Sequence, residues 1–470
     1  MHSYQIYSAG KFVTSNKTLP VINPFDKSTV ATTYLADKTI FEESVQKALS
    51  VQNELKKLSS FQKYEILKSI SEAIRLNKKH LAEILCKESG KPITNAEIEI
   101  ERSVQTFLIA AEECKRISKE YISLDWTENG KEKEGLIKYF PIGLVAGISP
   151  FNFPLNLAAH KIAPAIAAGC PIILKPASAT PLSCLELAKI IDNTLLPKGA
   201  VSILPMDRKI GNLLVTDDRI KLLSFTGSPE IGWEMKRNSN KKKVVLELGG
   251  NAATVITESA NLKEIMQKCI IGAFSYSGQI CIHAQRFIVH QSKYNEFINQ
   301  FSKLSKNIIY GDPLLKSTQI SNMINTENAI RVEEWVNEAI EKGAELICGG
   351  KRNENYYEPT ILINCNKTMK VFSEEVFGPV ICINSYSTID EAIEMVNDTK
   401  FGLQCGVFTN LISELDKCFT EIEVGGVIHN NVPTLRFDQM PYGGIKDSGL
   451  GREGVKYAMM DMLEAKILIK

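Results

Sequence analysis

The sequence predicts an α/β protein with two parallel-sheet domains and a smaller β element. Three observations predict it. From about residue 140, GLVAGISP, PIILKPA, AVSILPM, IKLLSFTG and KVVLELGG read as strands, with LNLAAHKIAPAIAAG and PLSCLELAKIIDNTL reading as helices between them. A second alternation starts at Asn251 with NAATVI and runs through RFIVH, ELICGG, VICINSYS, CGVFTN and GGVIHNN. Strands alternating with helices of this length imply parallel sheets covered on both faces. Finally, SLDWTENGKEKEGLIKYFP reads as two strands joined by turn chemistry at Asn129 and Gly130, and the terminal AKILIK alternates in a way that needs a partner edge.

Ahead of the first alternation, residues 39–121 carry long helical patterns such as EESVQKALSVQNEL and EILKSISEAIRLNKKHLAEIL. No repeat and no low-complexity linker interrupts the chain. Its 470 residues, 44% hydrophobic and 23% charged with a net charge of +1, have no electrostatic bias toward nucleic acid or acidic membranes. The expected partners are small molecules and copies of the same chain. MHSYQIYSAGKFV lacks a basic stretch followed by an apolar one, and no run of about 18 apolar residues occurs, so a cytoplasmic location is expected. The 11 cysteines are odd in number, scattered and never spaced as C-x-x-C. That argues against a disulfide framework and a zinc ribbon; no metal site is expected.

Sheets of this kind bind ligands beyond the carboxyl ends of their strands, and three loops fall there: SPFNFP, KPAS and FTGSPEIG. FTGSPEIG opens a helix whose free amides suit a diphosphate, although it also reads as a plain strand-to-helix turn. Lys175 follows the apolar run PIIL and either reaches a polar ligand or ends its strand in solvent. Asn152, between phenylalanines and prolines, is stiffly held as a loop-forming amide or as a donor for a developing oxyanion. Glu247, inside VVLELGG, is expected to be buried, which suits a general base, or else to be paired at a strand end. Cys281, in SYSGQICIHAQRF, is an inert small hydrophobe or a nucleophile.

Taken together, ISPFNFPL, ILKPAS, SFTGSPEIG, LELGG, GQIC and EEVFGP resemble the NAD(P)-dependent aldehyde dehydrogenase superfamily in order and spacing, from about residue 5 to the C-terminus. The resemblance implies a Rossmann-like cofactor domain (1–121 and 141–248), an α/β catalytic domain (249–458) and a small β oligomerisation element (122–140 and 459–470). It implies a homodimer or homotetramer. It makes Cys281 the nucleophile, Asn152 the oxyanion donor and Glu247 the base that activates water against the thioester, favouring hydrolysis over acyl transfer to coenzyme A. For the cofactor it implies Ser149, Pro150 and Phe151 along the pocket, Lys175 at the adenine ribose, Gly227 and Ser228 near the diphosphate, and Glu375 with Phe377 at the nicotinamide. Ser178 stands where strictly NAD-dependent relatives commonly carry a ribose-gripping glutamate, so the expected cofactor is NADP or NAD.

For substrate, the resemblance to non-phosphorylating glyceraldehyde-3-phosphate dehydrogenases points to Arg102, Arg286 and Arg436, the last offset by one residue. His160 occupies a place often filled by a bulky aromatic. NFPLNLAAHKIAPAIA and MPYGGIKDSGLGREGVKYAM look closest to the lactaldehyde and phosphonoacetaldehyde branch. The expectation is a small 2-hydroxyaldehyde, with a phosphorylated, phosphonylated or carboxylated aldehyde as the alternative. Two rivals are weaker. A papain-like hydrolase would need a local signature that GQICIHA lacks, with His283 proving nothing at two residues from Cys281; a non-catalytic scaffold would have no reason to keep Cys281, Glu247 and Asn152 together.

Overall fold

A computed structural model describes residues 3–470. Its first sheet has the order Lys11–Val13, Ile6–Ser8, Val201–Ile203, Ile172–Lys175, Leu144–Ile148, Ile220–Thr226, Lys243–Glu247 and Gly449–Leu450. The five strands from Val201–Ile203 to Lys243–Glu247 are parallel. The chain enters at Leu144–Ile148, winds outward through Ile172–Lys175 to Val201–Ile203, then crosses back to Ile220–Thr226 on the other side. The sheet therefore has its switch point between Leu144–Ile148 and Ile220–Thr226, where the loops after the two strands diverge and leave a crevice.

The helix Pro154–Ala168 closes one side of that crevice. It is buried all round, as a mostly apolar sequence allows once Asn156, His160 and Lys161 find buried partners, with Pro154 in its first turn and Gly169 ending it at φ 83°. Its first amides, those of Leu155 and Asn156, donate to the buried Glu99 carboxylate at 3.0 and 3.2 Å. A carboxylate at a helix N-terminus satisfies groups that otherwise lack partners, and here it fixes where the preceding Asn152 loop must end.

The second sheet runs Glu345–Cys348, Thr360–Ile363, Val380–Tyr386, Arg286–His290, Ala253–Ile256, Gln404–Phe408 and Gly426–His429. All its pairings are parallel except that of Glu345–Cys348. The chain then returns: Gly449–Leu450 pairs antiparallel with Lys243–Glu247, setting Gly449 opposite Glu247, and Val455, Met459 and Met462 are buried in the first core.

A third, antiparallel sheet joins Glu120–Ser123, Glu134–Pro141 and Leu463–Ile469, with Leu463 opposite Pro141 and Ile469 opposite Gly135. The terminal strand thus finds its partner edge. The connection differs from the expected tight turn at Asn129 and Gly130: residues 124–133 form a longer loop containing a short 3-10 turn at Glu128–Gly130. Asp125, Glu128, Lys131, Glu132 and Lys133 make this loop too polar and too long for a two-residue hairpin.

Candidate active site

Cys281 sits in the loop between the helix Leu262–Phe274 and the strand Arg286–His290. That loop begins with three successive left-handed residues, Tyr276 at φ 49°, Ser277 at 54° and Gly278 at 69°. Non-glycine residues pay for such angles and hold them only where neighbours dictate the path. Here they do. The Tyr276 hydroxyl donates to the Ser89 carbonyl at 3.1 Å, Ser277 Oγ donates to the Ser321 carbonyl at 2.6 Å, and a Cβ on Gly278 would lie 2.1 Å from the Gly378 oxygen. Next in the chain, the Gln279 carbonyl accepts from Asn152 Nδ2 at 3.0 Å, tying the Cys281 loop to the loop after Ile148. Asn152 keeps a second amide hydrogen for another acceptor.

Two cavities meet at this point. One, of about 460 Å³, is lined by Ser149, Pro150, Phe151, Asn152, Lys175, Gly227, Ser228, Glu375 and Phe377, and the other, of about 60 Å³, by Arg102, Phe153, Ile280, Arg436, Tyr442 and Glu453. Both are lined by Cys281 and Glu247. Burial pushes the Cys281 thiol up to about 11, with the hydrogen bond between its sulfur and the Tyr442 hydroxyl at 3.0 Å acting in the opposite direction. Glu247 is raised well above the usual carboxylate range, first by burial and then by the Glu453 charge. Its Oε1 accepts from the Glu453 amide at 3.1 Å, while Oε2 has no protein partner.

Behind the small cavity lies a buried set of charges. Arg436 Nη2 donates to Glu453 at 2.9 Å, and Lys161 Nζ lies 3.7 Å from the same carboxylate while donating to Ser224 and Thr226 at 3.1 and 2.7 Å. Burial opposes the charged form of Glu453, but His160, Arg436 and Lys161 outweigh it and hold the group at about 2. Arg102 grips Asp438 through Nε and Nη2 at 3.2 and 2.7 Å. His160 Nε2 lies 2.8 Å from Asp438, and burial lowers the His160 pKa while the neighbouring Glu453 and Asp438 act against it.

The large cavity has the donors and acceptors of a dinucleotide site. Glu375, raised to about 8 by burial, accepts only from the Gly250 amide at 3.1 Å among the described residues, and a Cβ at Gly249 would reach to 2.1 Å of it. Ser149 Oγ is buried without a partner. Phe151 and Phe377 meet edge to face at 5.8 Å, and Phe377 takes φ 47° to do so. An adjoining cavity shares Lys175 and adds Ser178, Arg208, Asn212 and Glu234.

Residues 12–468 match the aldehyde dehydrogenase family. The chain belongs to that family. A 3-sulfolactaldehyde dehydrogenase of Priestia aryabhattai is 39% identical over 469 residues, 99% of this chain and 98% of its own. A lactaldehyde dehydrogenase of Methanococcus aeolicus is 38% identical over 463 residues, 97% of each. Among solved structures, aldehyde dehydrogenase 21 from Physcomitrella patens with the reaction product succinate is 42% identical at a TM-score of 0.98, covering 100% of this chain and 98% of that one. Glyceraldehyde-3-phosphate dehydrogenase GapN from Methanocaldococcus jannaschii with NADP is 37% identical at 0.93, covering 97% of this chain and all of that one. The protein is an NAD(P)-dependent aldehyde dehydrogenase.

Not every residue expected at the site of this aldehyde dehydrogenase is there. Arg286 is buried in the second sheet, where it donates to the carbonyls of Asn251, Met395 and Val396 at 3.1, 2.8 and 3.1 Å. Met395 and Val396 end the helix Ile389–Asn397, so the guanidinium answers the free carbonyls and negative pole of a helix C-terminus, not a substrate. Its strand leaves the loop just before it and carries the side chain away from the cavity. His160 is likewise behind the small cavity's wall, not on it. His283 donates to or accepts from nothing near sulfur: its Nε2 meets the Ala273 carbonyl at 2.7 Å.

Sequence reading missed Tyr442, Glu453, Lys161, Arg331 and Arg208. Lys161 was visible as a lysine inside the apolar helix LNLAAHKIAPAIAAG, where only a buried partner makes sense. Arg331, whose Nη2 holds the Val376 carbonyl at 2.8 Å, looked like any helix-surface arginine.

Arg286→Ala should therefore act on stability. Losing a charged donor set and leaving buried carbonyls unpaired should cost at least about 3 kcal/mol in chemical denaturation. The aldehyde KM of the folded protein should stay within about twofold, since 1.4 kcal/mol is a factor of ten; wild-type stability with an altered KM would return Arg286 to the substrate.

Proposed function

We propose that this dehydrogenase oxidises a small 2-hydroxyaldehyde of the lactaldehyde type to its acid, with Cys281 as nucleophile, Asn152 as oxyanion donor and Glu247 as base. The observation that carries the reading is the meeting of a dinucleotide-sized cavity and a small one at Cys281 and Glu247. The Cys281 thiolate attacks the carbonyl carbon from between them, and the free Asn152 amide hydrogen with the Cys281 backbone N–H holds the oxyanion. Glu375, Phe377, Lys175 and Ser228, which line the larger cavity, would hold NAD(P), and the cofactor would supply the hydride acceptor needed to bring the Cys281 adduct to the thioester level. Glu247 then removes a proton from water as it adds to the thioester, releasing the acid and the thiol. With its pKa raised, Glu247 is the base only in the upper part of the pH range, so hydrolysis falls as pH drops through that raised value.

Cys281→Ala should abolish turnover while cofactor binding survives. Glu247→Gln should keep a stoichiometric burst of reduced cofactor but slow the steady state by roughly 10² to 10⁴, the usual share of a general base. Unchanged steady-state turnover, with no acyl-enzyme detected by mass spectrometry, would remove Glu247 from the mechanism.

The charge of the small cavity supports an uncharged substrate tail. Arg102 is paired with Asp438 and Arg436 with Glu453, so both guanidinium groups can donate to a hydroxyl without leaving surplus positive charge. A second reading has its own observation: Arg436 Nε is buried without an acceptor, which suits a carboxylate or sulfonate such as the products of the succinate-bound and sulfolactaldehyde relatives would carry. For the cofactor, Ser178 with Lys175 and Arg208 around one cavity supports NADP over NAD, because these groups can donate to a 2'-phosphate while Glu234, in the same lining, is paired with Arg208 at 3.5 Å. Steady-state kinetics across lactaldehyde, 3-sulfolactaldehyde, glyceraldehyde 3-phosphate and succinic semialdehyde, each with both cofactors, should give the highest kcat/KM with lactaldehyde and NADP. A preference of orders of magnitude for an anionic aldehyde selects the second reading.

The three-stranded sheet exposes Tyr121, Phe140, Ile467, Leu468 and Ile469, an apolar surface at a free strand edge. Such edges are normally covered. We read it as the contact between copies in a homodimer or homotetramer, in a cytoplasm that keeps the 11 free cysteines reduced. Among the described residues no helix is long and apolar enough to cross a membrane. Light scattering on the purified protein should give at least twice the 52.3 kDa of one chain; the single-chain mass would refute the contact.

A further inference from the structure

We propose that Tyr442 is a further catalytic residue, whose hydroxyl donates a hydrogen bond to the Cys281 thiolate and so sets how much of the nucleophile is ionised. The inference rests on the reading of Cys281 as nucleophile. Tyr442 is 2% exposed, and its hydroxyl lies 3.0 Å from Cys281 Sγ, its only hydrogen-bond partner among the described residues. A buried phenol without a partner is costly, and packing alone would be served as well by phenylalanine.

The ring is held rigidly. The Tyr442 amide donates to the Glu453 carbonyl at 2.7 Å, the ring packs with Ile280, Ile282 and Leu403, and the Arg436 guanidinium lies 3.7 Å from its centroid. A cation on that face draws electron density from the ring and strengthens the hydroxyl as a donor. Burial, followed by the neighbouring Cys281, drives the phenol's own pKa well up, so Tyr442 keeps its proton throughout. The thiol proton leaves to water; Tyr442 supplies only the hydrogen bond.

The other charged groups facing Cys281 divide in sign. Glu375 and Glu247 disfavour the thiolate, Arg436 favours it, and burial opposes it most strongly. Tyr442 is the favourable group in direct contact with sulfur. Once sulfur bonds to the carbonyl carbon its charge is gone, and the hydroxyl is released beside the small cavity, where Tyr442 also lies.

The test is the pH dependence of Cys281 alkylation by iodoacetamide, followed by mass spectrometry of the Cys281 peptide because ten other cysteines are present. In Tyr442→Phe the ionisation midpoint should rise by about one unit, and labelling at pH 8 should slow roughly tenfold. NADP binding measures folding. Should Tyr442→Phe not bind NADP, 3-fluorotyrosine incorporated at Tyr442, a stronger donor of nearly the same shape, should instead speed labelling. A profile that superimposes on wild type in the folded variant overturns the role of Tyr442. Full turnover in Cys281→Ala would overturn the nucleophile assignment itself, a separate outcome.

Discussion

The Glu453 carboxylate, sealed from water, is met by the Arg436 guanidinium and the Lys161 ammonium, and its backbone amide is shared between the Tyr442 carbonyl and Glu247. These partners come from the helix Pro154–Ala168, the strand Lys243–Glu247 and the segment after the second sheet. A buried carboxylate is stable as an anion only while its cations stay in place, so the cluster imposes one relative position on three distant segments. The small cavity is the space left beside them. Any shift that relieved the packing would strand a charge, which is a larger penalty than most packing defects carry.

The same cluster divides labour between two carboxylates. Glu453 takes the cations and is held ionised, while Glu247, beside an existing negative charge and with one oxygen unpartnered, is pushed toward its neutral form. Neighbouring acids whose surroundings drive their pKa values apart let one residue type supply both a lasting anion and a group that can still take up a proton.

The two alternating sheets, the terminal β strand and the loops at the switch point were legible in the sequence because each depends on local periodicity or on glycine and proline at turns. Asn152, Glu247 and Cys281 could be singled out for the same reason: each sits in a short motif whose backbone path is set nearby. Tyr442 and Glu453 could not, since their meaning depends on contacts with residues far away in the chain. Arg286 shows the opposite error. Five positions from Cys281 looked close, but a strand begins there, and its direction counts for more than the count of residues.

The first sheet is not complete until Gly449–Leu450 lies against Lys243–Glu247. A ribosome releases the chain from its N-terminus, at roughly 5 to 20 residues per second. Most of the cofactor sheet is therefore available long before its last strand, and the amide that holds Glu247 arrives later still. Such long-range closure is slow to nucleate. The nascent chain can assemble a nucleotide crevice before Glu247 is held in place, and a chain cut short before residue 453 would lack the amide that positions that carboxylate.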